Sequence, residues 1–126
     1  MVSDPSDRIC ILTSQGSARN IGQGIAIQFA KAGANIAAFD LRDLNETLAL
    51  VEKEGVIAKG WELDASDEKS VRDAIDQVEE TLGPIDILVN VAGITGSRPI
   101  FMEHFDNFWK TMRINTGCVC CQLRLR

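Results

Sequence analysis

The feature that most constrains this chain is a change of hydrophobic period that repeats along it. Short apolar runs suited to buried strands alternate with stretches whose apolar residues recur every three or four positions. Residues 8–14 (RICILTS) form the first run, and a glycine-bearing loop follows. From Ile21 the pattern turns helical, with Ile21, Ile25, Phe29 and Ala32 on one face and Gly33 as the stop. Residues 35–39 (NIAAF) make a second strand closing on Asp40. A helix with Leu44, Leu48 and Val51 facing inward then runs to Gly55, and residues 56–63 make a third strand closing on Asp64. The next helix, capped by Ser66 or Asp67, carries Val71, Ile75, Val78 and Leu82 at helical spacing and ends at Gly83-Pro84. A fourth strand spans 85–91, and a loop fills 92–99. A last helix from about Glu103 is expected to bury Phe105, Phe108 and Met112, with Phe101 in phase just ahead of it.

Strand–helix alternation with short connections implies right-handed βαβ units: an α/β fold in which a parallel sheet carries helices on both faces. There is no repeat, low-complexity stretch or linker, so residues 1–126 read as one domain. The net charge of −5 argues against nucleic acid as the main partner. The longest uncharged runs, 20–30 and 87–97, hold 11 residues each, well short of the roughly 20 a membrane span needs. The opening MVSDPSDR has no apolar signal region behind it, which leads to the expectation of a cytoplasmic protein with free thiols. Cys118, Cys120 and Cys121 crowd the last nine residues without a second ligand pair, and the only histidine, His104, lies far upstream, so no metal site is expected.

In an open sheet of this kind, ligands bind at the carboxyl ends of the strands. The first strand delivers Gly16-Ser17-Ala18-Arg19-Asn20-Ile21-Gly22, which opens directly into a helix. Such a loop lets backbone approach a pyrophosphate, and the helix N-terminus offers unpaired N–H groups to it. Asn20 stands where a third glycine is expected, and asparagine tolerates left-handed backbone angles. The turn alone is equally readable as a tight strand–helix connection. Asp40 adds weight, since it ends the second strand 18 residues after Gly22. A carboxylate there accepts hydrogen bonds from the hydroxyls of an adenosine ribose and repels a 2′-phosphate. This favours NAD, while Arg19 and Arg42 nearby leave NADP open.

GSARNIG, Asp40, the Leu63-Asp64 strand end and Asn90-Val91-Ala92-Gly93 occur in that order. Together they resemble the short-chain dehydrogenase/reductase family. Gln15 stands where the family usually has threonine, Asn20 replaces its middle glycine, and Val91 takes the second place of its Asn-Asn-Ala-Gly element. The resemblance implies a Rossmann-type doubly wound sheet in strand order 3-2-1-4, covering residues 8–115, with 116–126 as a cut-off or divergent tail. It implies that Gly16, Arg19, Asn20, Ile21 and Gly22 line the pyrophosphate, and that Asp40 and Leu41 hold the adenosine ribose. Asp64 and Ala65 would contact the adenine, and Asn90, Ala92 and Gly93 would support the sheet near the nicotinamide ribose. Residues 108–115 (FWKTMRIN) look like the family helix whose asparagine, here Asn115, anchors a water in a proton relay, with Ile114 close to the nicotinamide. Taken singly, Asp64, Asn90 and Asn115 also read as a helix cap, a turn residue and a helix-end residue.

The implied activity is hydride transfer between a nicotinamide dinucleotide and a small carbonyl or alcohol. The family's tyrosine acid, its lysine four residues on and its serine lie beyond the asparagine helix, and this chain contains no tyrosine. The expectation is therefore the N-terminal half of such an enzyme, inactive alone, with most of the family's homo-oligomer interface missing. The alternative is a non-catalytic dinucleotide-binding module or the partner of a longer paralogue. The fourth strand would lie at an edge, which leads to the expectation of marginal stability or aggregation.

Overall fold

A computed structural model describes residues 8–13, 21–96, 98–117 and 119 of the 126. Its elements are β1 (Ile9–Thr13), α1 (Ile21–Lys31), β2 (Asn35–Asp40), α2 (Asn45–Glu52), β3 (Ala58–Glu62), α3 (Glu68–Thr81), β4 (Ile87–Asn90) and α4 (Phe105–Met112). A short 3-10 turn, Ile100–Met102, precedes α4, and a π-type turn, Arg113–Gly117, follows it. The strands form one parallel sheet in the order β3-β2-β1-β4, as the family resemblance implies. Ile9 pairs with Asn35 on one side of β1, and Cys10 with Ile87 on the other, so all four chain directions agree.

The helices lie on both faces because β2 is apolar on both. Ile36 and Ala38 face a cluster with Ala26 and Ala30 of α1 and Leu44 and Val51 from α2 and its approach. Ala37 and Phe39 face the opposite cluster, made with Val71, Ala74, Ile75 and Val78 of α3. A parallel sheet buried on both faces shows such unbroken apolar runs. Three helix-to-strand turns pass through Gly33, Gly55 and Gly83, all with positive φ that side chains rarely adopt. At the start of α3, Asp67 is the cap, accepting a hydrogen bond from the Lys69 backbone N–H at 3.1 Å. Ser70 Oγ donates to the same carboxylate, and that bond is the largest cause holding the Asp67 pKa below its ordinary range.

Two expectations about helix faces need correction. The buried residues of α1 are Gly22, Ala26 and Ala30; Ala32 is exposed, Ile25 and Phe29 flank, and Ile21 is 69% exposed. Small side chains let the helix axis approach the sheet, so the larger residues are displaced to the sides. The second correction is α4, which buries no residue. Phe105 is 73% exposed, Phe101 85%, and Phe108 and Met112 are also exposed. The periodic pattern was formed as expected, but no element among the described residues covers it. Its rings pack on one another instead, with Phe105–Trp109 and Phe108–Trp109 edge-on at centroid distances of 5.8 and 5.4 Å.

Candidate dinucleotide site

The carboxyl ends of the four strands point the same way, which gathers the expected site residues along one edge. β2 ends on Asp40, and the Leu63 N–H donates to the Asp40 carbonyl at 2.8 Å. That bond carries the ladder one residue past β3, so the chain reaches Asp64 directly after pairing with Asp40. Asp40 is only 1% exposed, and its Oδ1 accepts from the Arg42 N–H at 3.0 Å. The turn fixes the carboxylate, while Leu41 stands out toward solvent.

Asp64 makes a different use of the same chemistry. Its Oδ1 accepts from the Ser66 N–H at 2.8 Å and the Ser66 hydroxyl at 2.7 Å, folding the chain into the approach to α3. Ala65 is buried beneath it. Asp64 is therefore not the cap of α3, which is Asp67; it turns the chain toward that helix.

Asn90 lies exposed at the end of β4, opposite Thr13 of β1. Beyond it, the loop is held from a distance of 21 residues. Asn115 Oδ1 accepts from the Ile94 N–H at 2.8 Å, and Asn115 Nδ2 donates to the Ile94 carbonyl at 2.9 Å. Both polar ends of one side-chain amide therefore satisfy one backbone residue. Gly93 lies against this amide, where a Cβ would stand 3.4 Å from Asn115 Oδ1, in van der Waals contact. Asn115 lies in the π-type turn, and its neighbour Ile114 is buried. Such a turn changes the direction in which successive side chains project, and these turns recur at functional sites.

Asp64 and Ile114 meet across a cleft of about 620 Å³ whose lining also includes Ser66, Trp109, Lys110 and Arg113. Sequence reasoning missed this α4 wall. The signal was present in the spacing of Asp106, Trp109, Lys110 and Arg113, which places a mixed polar and aromatic stripe along one side of the helix. Of the loop residues expected at the pyrophosphate, Gly22 is buried at the start of α1 and Ile21 is exposed. Gly16, Arg19 and Asn20 lie outside the described residues.

A doubly wound parallel sheet with a carboxylate closing its second strand and a cleft along its carboxyl edge defines a dinucleotide-binding type of fold. The sequence model of the short chain dehydrogenase family matches residues 9–124, and the chain belongs to that family. A short chain dehydrogenase of Pseudocercospora fijiensis is 36% identical over 104 residues, covering 79% of this chain and 34% of the relative. A 2-dehydro-3-deoxy-D-gluconate 5-dehydrogenase of Formosa agariphila is 30% identical over 115 residues, covering 89% of this chain and 43% of the relative. Among solved structures, an NAD⁺-bound xylitol dehydrogenase superposes with a TM-score of 0.87 at 30% identity over 94% of this chain and 46% of its own. A short chain dehydrogenase from Mycobacterium paratuberculosis bound to NAD gives 0.88 at 25% identity, over 95% of this chain and 49% of its own. The chain thus spans less than half the length of each of these relatives.

Proposed function

We propose that residues 1–126 form a single, incomplete dinucleotide-binding domain, with 8–115 as its family-like part, that holds a nicotinamide cofactor, NAD in preference to NADP, for hydride transfer to or from a small carbonyl or alcohol. The observation that carries this reading is the placement of the buried Asp40 at the end of β2, where its carbonyl accepts from Leu63, the residue that leads into the Asp64–Ser66 turn. The NAD-bound state of two superposing structures supports it. When bound, the nicotinamide supplies the hydride chemistry.

The chain's own residues then have separate tasks. Asp40 and Leu41 hold the adenosine ribose, and the negative charge of Asp40 disfavours a 2′-phosphate there. Gly16, Arg19, Asn20, Ile21 and Gly22 receive the pyrophosphate. Ala65, with Asp64, bounds the adenine, and Ile114 supplies an apolar wall. Asn90, Ala92 and Gly93 approach the nicotinamide ribose, where Asn115 fixes the loop by its two bonds to Ile94. In this reading Asn115 positions that loop and anchors a water for proton transfer. These 126 residues contain no tyrosine, so they do not themselves supply the family's general acid. Their share of the reaction is binding and orientation, with catalysis completed by residues from outside this sequence.

Titration of the chain with NADH and NADPH, read by nicotinamide fluorescence, tests the proposal. NADH binds more tightly, and Asp40→Ala weakens NADH by about tenfold or more while narrowing the gap to NADPH. Absence of binding by either dinucleotide rejects the cofactor role. Equal affinity of wild type for both rejects the role of Asp40 alone.

A further inference from the structure

Next to the loop that Asn115 holds lies a second, smaller cleft of about 220 Å³, whose lining includes Ile94, Thr95, Arg98, Glu103, Asn107 and Lys110. Glu103 stands just before α4 and is partly buried. Its Oε1 is buried without a hydrogen-bond partner. Its Oε2 packs onto Gly96, where a Cβ would stand only 3.1 Å away. A carboxylate oxygen removed from water and left without a donor is costly, and such groups call for an explanation. No ion pair engages Glu103 among the described residues, where the pairs are Lys69–Asp73 and Arg72–Glu68, both on α3.

The cleft therefore presents one enclosed acceptor in need of a donor, and two exposed cations, Arg98 and Lys110, that are available to an anion. A hydroxyl group donates to a carboxylate oxygen, and a carboxylate pairs with guanidinium or ammonium. Thr95 and Asn107 add side chains that both donate and accept. The volume is below that of drug-sized pockets, which limits the ligand to a small one. We propose that this cleft is a binding subsite for a small polyhydroxy carboxylate, whose hydroxyl satisfies Glu103 and whose carboxylate is held by Arg98 and Lys110. Asn115 fixes its floor by fixing Ile94. As the substrate side of a dehydrogenase, the subsite rests on the cofactor reading above; as a binding site, it is tested without the cofactor.

The test is calorimetric titration of the full chain with D-gluconate, with sorbitol and acetate as probes lacking the carboxylate or the hydroxyls. Gluconate binds, and each of the other two binds at least about tenfold more weakly, the loss expected when one charged contact is removed. Glu103→Leu weakens gluconate by about tenfold or more and raises the melting temperature, because the unsatisfied oxygen is gone. A purely structural role for Glu103 would not move affinity and stability in opposite directions. Glu103→Gln, which keeps the shape of the side chain, weakens binding while leaving the fold intact, and the double change Arg98→Gln and Lys110→Gln does the same. The proposal is overturned if gluconate does not bind, if sorbitol or acetate binds as well, or if both Glu103 variants retain wild-type affinity. Failure of the NADH titration with gluconate still binding removes only the substrate assignment.

Discussion

α3 and α4 are both strongly amphipathic helices, and their surroundings differ completely. α3 lays Val71, Ala74, Ile75 and Val78 against Phe39 and Ala37 of β2, and all four are buried. α4 presents Phe105, Phe108, Trp109 and Met112, and all four are exposed. The difference lies in what each helix meets. α3 crosses back over a sheet that is apolar on that face, whereas α4 follows strand β4 and meets no second layer among the described residues. Amphipathicity states that a face needs covering; it does not state what covers it.

The largest effect should come from the covered side. Phe39→Ala empties the place where β2 meets α3 and should cost about 3–5 kcal/mol, read by denaturant unfolding. Phe105→Ala should change stability by no more than about 0.5 kcal/mol, because no packed partner is lost outside the helix's own aromatic group. A larger loss at Phe105 than at Phe39 would overturn the contrast.

Cys10 sharpens the comparison from inside the sheet. Burial pushes its thiol up from the ordinary 9.0 to about 12. The folded state therefore holds the proton that the unfolded state releases. Stability is fully present below pH 9 and declines as pH rises toward 12, by about 1.4 kcal/mol for each unit once the unfolded thiol ionises. Cys10→Ala should flatten that alkaline decline in melting experiments. Alkylation of Cys10 at neutral pH should be slow until the chain unfolds.

Asn115→Ala removes two hydrogen bonds that tie the α4 end of the molecule to the β4 loop. The expected loss is about 1–2 kcal/mol, concentrated locally. Hydrogen exchange should show the Ile94 amide losing protection while the β1 and β2 amides keep theirs. Uniform loss across the sheet would mean that the two regions unfold as one. At the surface, Asp67→Ala removes the α3 cap and should lower the melting temperature modestly, by more than Phe105→Ala does. The Asp67 pKa is held down chiefly by Ser70, so the cap's contribution is present above the ordinary carboxylate range and fades as pH falls through the lowered value. A shift at neutral pH but none at acid pH checks it.

Much of the fold was legible in particular residues. Gly33, Gly55 and Gly83 marked the helix stops, and each has the positive φ that makes glycine the residue for the place. The doubly apolar β2 marked a sheet covered on both faces. Asp40 was legible as the residue that closes β2, where the structure places it. Asp64 was legible as a polar strand end, with adenine contact only implied by the family resemblance. Its engagement with Ser66 depends on turn geometry two residues ahead. Glu103 gave no signal, because a glutamate before a helix is ordinary until the fold closes Gly96 over it.

The sequence by itself determined the local conformations: which stretches are strands or helices, where each stops, and which faces are apolar. Those properties follow from backbone sterics and hydrophobic period within a few residues. Only the tertiary structure decided that Asn115 grips Ile94 across 21 residues, that a carboxylate oxygen of Glu103 is enclosed without a donor, and that the face of α4 stays open. Each of these depends on which distant surfaces the sheet brings together, and no local preference encodes that.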